Sequence, residues 1–118
     1  MGASFAELEV WKAGCRLAVA GLQEMRTCTL HGLRDQMVKS VLSIPSNIAE
    51  GSERRTTKDF SHFLHIALGS AAELRTQTYI ARETEIVAAK IAEQWITELK
   101  SISKMLQALI NSINNRQP

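Results

Sequence analysis

The chain reads as an all-α protein, an antiparallel four-helix bundle with a proline-kinked second helix. Three observations point there. Apolar residues recur at alternating three- and four-residue spacings in four separate segments, the pattern of a helix that buries one stripe. Short polar stretches join those segments, so consecutive helices must fold back on each other. Hydrophobic residues make up 45% of the chain and aromatic residues only 5%, which suits aliphatic helix packing better than a β-sandwich. At 118 residues the chain has the size of one domain, 1–118, with a frayed tail expected over residues 114–118.

Helix 1 carries Leu8, Trp11, Cys15, Ala18, Leu22 and Met25 as its stripe, and Ser4 with Glu7 has the spacing of a capping box. The stretch from Thr27 to Gly32 reads as a turn. Helix 2 runs from about Leu33 to Glu53, with Leu33, Met37, Val41, Ile44 and Ile48 as its stripe. Pro45 lies inside that stripe. A proline in a helix interior removes a backbone donor and clashes with the carbonyl four residues back, at roughly 3 kcal/mol. The expectation is a kink, with Ser40, Ser43, Ser46 and Asn47 at hand to satisfy freed backbone groups. Gly51 is placed to serve the helix terminus.

Thr56 followed by Asp59 starts helix 3, whose stripe is Phe60, Leu64, Ala67, Ala71, Leu74, Thr78 and Ala81. Its middle, Ala67 to Ala72, is small at every position but Leu68 and invites close approach by a neighbour, for which the kinked part of helix 2 is a candidate. A turn over residues 82–85 contains no glycine. Helix 4 carries Ile91, Trp95, Leu99, Ile102, Leu106, Leu109 and Ile113. Val10, Leu17 and Val19 on helix 1, and Ile96, Met105 and Ile110 on helix 4, fall off these stripes. Either the core face is wide, or a second face is buried between subunits.

Four blocks carry a family resemblance: Phe5 with Leu8, Val10 and Trp11; Gly32-Leu33 with Gln36; residues 43–51, read Ser-Ile-Pro-Ser-Asn-Ile-Ala-Glu-Gly; and Ala67, Gly69-Ser70 and Glu73-Leu74. In this order they resemble the four helix bundle protein family. That family includes the 23S rRNA intervening-sequence proteins and the accessory variability determinants of diversity-generating retroelements. The resemblance implies the bundle and a homopentameric ring. It marks Ser43, Pro45, Asn47, Glu50, Gly51, Gly69, Ser70 and Glu73 as family positions. It also implies a setting near nucleic acid, since one branch accompanies a reverse transcriptase and another is encoded within intervening sequences of 23S rRNA genes.

The remaining chemistry is sparse. Fourteen basic and twelve acidic residues leave a formal charge of +2, less than a whole-protein polyelectrolyte binder carries. Local clusters matter more, and Arg54, Arg55 and Lys58 form one at a bundle end. Cys15 and Cys28 are 13 residues apart in one predicted helix, about 20 Å, beyond disulfide reach. Reduced thiols suit a cytoplasmic protein. No signal peptide and no membrane span are read from the chain. His62 and His65 are three residues apart on helix 3, but Glu73 lies too far along to share a metal with both, so no metal and no cofactor are expected. No nucleophile elbow and no glycine-rich phosphate loop occur.

A polar constellation remains: Asn47 and Glu50 on helix 2 with Ser70 and Glu73 on helix 3. In an antiparallel pair joined near residue 55, residues 70–73 fall opposite 37–40 and residues 47–50 opposite 60–65. The two motifs therefore need not form one cluster. They hydrogen-bond the kinked backbone or fix helix register, form a recognition surface at a subunit boundary, or, last, serve catalysis. The reading as a whole is a non-enzymatic homo-oligomeric binding or scaffold protein. Its expected partners are further copies of itself, RNA or DNA met through Arg54, Arg55 and Lys58, and a nucleic-acid-processing protein. The alternatives are a protein–protein adaptor ring and a small-molecule or metal-binding bundle.

Overall fold

A computed structural model describes residues 8–115. They form four helices, α1 (Glu9–Met25), α2 (His31–Ser52), α3 (Thr57–Glu83) and α4 (Ala89–Asn114), with no strand among the described residues. Each helix packs antiparallel on its neighbour in sequence, and α1 meets α4 through a much sparser contact that closes the ring. The body is a rod of 50 × 20 × 19 Å.

Local chemistry sets the helix ends. Thr56 caps α3 as its spacing predicts, its hydroxyl oxygen accepting the Asp59 amide at 3.1 Å. The capping box expected at Ser4 and Glu7 lies outside the described residues. At the far end of α3 the Glu85 amide donates to the Arg82 carbonyl at 3.0 Å and the Ile86 amide to the Ala81 carbonyl at 2.9 Å. That bond pair is a Schellman cap, which requires a left-handed residue, and Glu85 supplies it with φ of 60°. The turn without glycine therefore forms, with a glutamate in a glycine position.

The predicted stripe of α3 is buried at all seven positions. That of α2 is buried from Met37 to Ile48, with Leu33 half-buried at its start. Helix α1 departs from expectation. Its core side is Val10, Ala13, Gly14, Leu17, Ala18, Gly21 and Met25. Leu8, Trp11 and Cys15 are only half-buried and Leu22 is exposed. The physical reason is room. A Cβ on Gly14 would sit 3.3 Å from Ile44 Cγ2 and 3.4 Å from Pro45 Cδ, so α1 presents its small residues to α2 and turns larger ones outward. In α4, Ile96 and Ile110 belong to the core, while Ile91 and Leu109 are partly exposed.

Helix α2 continues through Pro45, which is buried. The small stretch of α3 is divided. Ala67 and Ala71 are core, whereas Gly69 is exposed and a Cβ there would meet nothing within 4 Å. The close backbone approach occurs instead at Gly51, where α2 leaves the bundle end against Phe60 and Phe63. Helix α1 stops at Met25, so Cys28 lies in the connection rather than in the same helix as Cys15, and both thiols are free.

Candidate functional site

Two polar regions of the bundle are candidates, a seam between α2 and α3 and the basic turn that joins them. The seam is built from the family blocks. The Ser40 hydroxyl lies 2.8 Å from Glu73 Oε1 and 3.0 Å from the Gln36 carbonyl, and its one proton is shared between them. One turn on, the Ser43 and Ser70 hydroxyls hydrogen-bond at 2.7 Å. Asn47 Nδ2 donates to the Ser43 carbonyl at 2.8 Å and to Ser43 Oγ at 2.9 Å. Antiparallel register places residues 70–73 opposite 37–40, as Glu73 on Ser40 shows, and Ser70 reaches one turn further to Ser43. The sequence did not show that Ser43, shared by Ser70 and Asn47, draws the two motifs into one chain of hydrogen bonds.

Around the seam, Ser40 is buried, Ser43, Asn47 and Ser70 are half-buried and Glu73 reaches solvent. The Gln77 side-chain oxygen, one turn beyond Glu73, is buried and accepts no hydrogen bond among the described residues. A cleft of about 300 Å³ opens beside Glu73, lined by Gly32, Asp35, Gln36, Lys39 and Ser40. Every seam hydroxyl has a partner on its own or the facing helix, so the arrangement fixes the mutual register of α2 and α3.

Glu50 stands apart from the seam. Its carboxylate pairs with Arg54 one turn along, and the Arg54 guanidinium also lies over the Phe63 ring, 4.7 Å from its centroid. Arg54 is therefore held against the bundle on two sides. Arg55 and Lys58 are exposed, and no carboxylate of the described residues pairs with them. Glu53 and Asp59 are close in sequence, so the turn is less basic than its three cations suggest. At the other end of the rod, Arg34 pairs with Asp35 at 3.3 Å and Arg82 with Glu83 at 3.3 Å.

The histidines keep to helix surfaces. His65 Nδ1 is 2.9 Å from the Ser61 carbonyl, and His62 meets the Phe63 ring edge-on at 5.4 Å. Among the described residues no three of His, Cys, Asp and Glu come together as a metal site, and no helix is long and apolar enough to cross a membrane. Burial pushes the Cys15 thiol above its ordinary range, which disfavours the thiolate.

Residues 6–108 match the family described as 23S rRNA-intervening sequence protein. Among solved structures, the chain is similar to a protein of unknown function from the S23 ribosomal protein family of Bacteroides thetaiotaomicron VPI-5482, with a TM-score of 0.80 and 24% identity over 86% of this chain and 97% of that one. At that identity the likeness establishes the fold. No curated protein matches the sequence.

Proposed function

The chain belongs to the 23S rRNA-intervening sequence protein family, and we propose that it is a non-enzymatic, homo-oligomeric scaffold that binds nucleic acid or assists a protein that handles it. One observation carries the reading: α1 keeps a second apolar stripe, Leu8, Trp11, Cys15 and Leu22, that its own core covers only in part. The stripe has the three- and four-residue alternation of a helix–helix seam. A further copy of the chain is its natural cover, in a ring such as a pentamer.

Assembly changes what modest charge can do. Arg55 and Lys58 are two cations in one copy and several in a ring. Contacts to phosphates are individually weak, add together, and weaken steeply with salt. Such contacts position a backbone without reading its sequence. In this reading Arg54 orders the turn through Glu50 and Phe63 while its neighbours reach out.

The test is binding of labelled structured RNA and duplex DNA across a salt series, with oligomer mass measured on the same sample. An oligomer whose affinity falls steeply with salt is the expected result, and Arg55→Glu with Lys58→Glu should weaken binding without changing the mass. An oligomer that binds neither ligand at low salt would refute nucleic-acid binding and favour an adaptor for protein partners.

A further inference from the structure

We infer that the outer face of α3 and α4 is a second and larger phosphate-binding surface, made by Arg75, Lys100 and Lys104 and directed at the backbone of a nucleic-acid duplex. The inference rests on the nucleic-acid reading above and names its surface.

The argument starts from which flank of each helix faces which neighbour. Ser70 and Glu73 of α3 bond α2, so the flank they mark belongs to α2. Residues 61, 68, 75 and 82 recur every seven residues on the opposite flank, and all four are half-buried, as expected where α4 packs beside them. In α4 the flank of Ile96 and Ile110 is buried, and the flank of Ile91, Glu98 and Met105 is half-exposed. Because α4 packs closely on α3 and sparsely on α1, the buried flank is the one against α3. Lys100 and Lys104 follow Ile96 by one and two turns, moving outward on that side, and both are exposed.

The three cations therefore share one face. Measured along the rod from the turn that joins α3 to α4, Arg75, Lys100 and Lys104 stand at about 12, 17 and 23 Å. They cover about 11 Å, the rise of roughly three nucleotides on one duplex strand.

Over the length that the three cations span, the face carries no acid; Glu93, exposed and one heptad before Lys100, lies nearer the turn between α3 and α4. From Phe60 to Ala81 the only carboxylate is Glu73, which faces α2 and is bonded to Ser40. From Gln94 to Asn114 the only one is Glu98, on the α1 flank. None of the three cations takes part in an ion pair among the described residues. Lys100 and Lys104, one turn apart on one helix, repel each other, and nothing in the fold relieves that repulsion. Arg34, Arg54 and Arg82 are paired, whereas these three, like Arg55 and Lys58, are not. A polyanion supplies the missing counter-charge.

A duplex fits better than a single strand, because base stacking needs a free aromatic surface. Tyr79 is the aromatic residue on this face, and the Arg82 guanidinium already lies over it, 4.7 Å from the ring centroid.

The experiment compares wild type with Arg75→Gln/Lys100→Gln/Lys104→Gln and with Arg55→Gln/Lys58→Gln. Binding of fluorescent RNA duplex and DNA duplex is followed by anisotropy across a salt series, with circular dichroism and mass on every sample. The triple variant should keep fold and mass. Its plot of log affinity against log salt should flatten by about 0.9 for each phosphate that is no longer neutralised, up to roughly 2.7. A triple variant with wild-type affinity and slope would overturn the inference while the nucleic-acid reading stands. Wild type that binds neither duplex at low salt would sink the nucleic-acid reading itself. Weakening with RNA alone or DNA alone would support the face and identify the ligand.

Discussion

Gly51→Ala tests whether the α2–α3 contact is as tight as it looks. A Cβ at residue 51 would lie 2.8 Å from Phe63 Cβ, 3.0 Å from Phe60 Cδ1 and 3.2 Å from the Phe60 carbonyl oxygen. Ordinary carbon–carbon contact is about 3.5–4.0 Å. The Phe60 ring can turn away, but the Phe63 Cβ and the Phe60 carbonyl move only with the α3 backbone. Overpacking of this kind costs about 1–3 kcal/mol. Replacing glycine in a helix returns up to about 1 kcal/mol, and less so near a terminus, where residue 51 lies. The net expectation is a destabilisation of about 1–2 kcal/mol, or a melting temperature lower by roughly 4–8 °C for a chain of this size. Gly69→Ala is the matched control. Its Cβ meets nothing, so it should gain up to about 1 kcal/mol and melt a few degrees higher. Thermal melts by circular dichroism, at one protein concentration because assembly couples to stability, decide the matter. Gly51→Ala melting at or above wild type would refute the reasoning.

Three further outcomes follow from particular contacts. Glu85→Gly should stabilise by about 0.5–1 kcal/mol in the same melts, since a left-handed L-residue costs about 1–2 kcal/mol and glycine's extra unfolded freedom offsets part of the gain. Cys15 should alkylate slowly at neutral pH in the folded protein and faster as pH rises. Because burial raises its folded pKa, the unfolded chain loses that proton first, so this thiol weakens the fold only at alkaline pH; rapid modification of folded Cys15 at neutral pH would contradict its burial. Pro45→Ala removes a ring atom that fills the space beside Gly14 and should shift the oligomer mass more than it shifts helix content, whereas wild-type mass and wild-type dichroism together would leave the proline without a role in assembly.

Much of the fold was legible because periodicity reports directly on which residues avoid water. The α3 stripe is unambiguous, with one apolar position per three or four residues and polar residues between, and all of it is core. Thr56 with Asp59 marked a helix start for an equally local reason. The candidate site was less legible. Antiparallel register placed residues 70–73 opposite 37–40, but a hydrogen bond needs side-chain reach as well as register. Only the folded chain shows Ser43 joining Ser70 to Asn47. The basic turn shows a further limit of sequence reading. Three cations in five residues look like one patch, yet Arg54 is held by Glu50 one turn earlier in α2 and by a ring on α3. Arg75 is distant in sequence from Lys100 and Lys104, and only the packing of α4 on α3 brings the three toward one face.

Helix α1 explains why periodicity alone can choose the wrong face. It has two apolar sets, Leu8, Trp11, Cys15 and Leu22 against Val10, Ala13, Gly14, Leu17, Ala18, Gly21 and Met25. With large side chains in both, buried area alone does not choose between them. The second set turns inward because the site facing α2 is already filled by Ile44 and Pro45, where even a methyl group at residue 14 would be tight. Close packing therefore decides where hydrophobicity does not, as it must in an interior with the density of a crystal. The proline that looks like a defect in α2 becomes intelligible on the same grounds. Its ring occupies space that a glycine on α1 leaves open, a fit that a larger residue at position 14 would break. Trp11 stays half-buried and Leu22 reaches solvent, so the block around Pro45 bears on which residues α1 leaves toward its outer face.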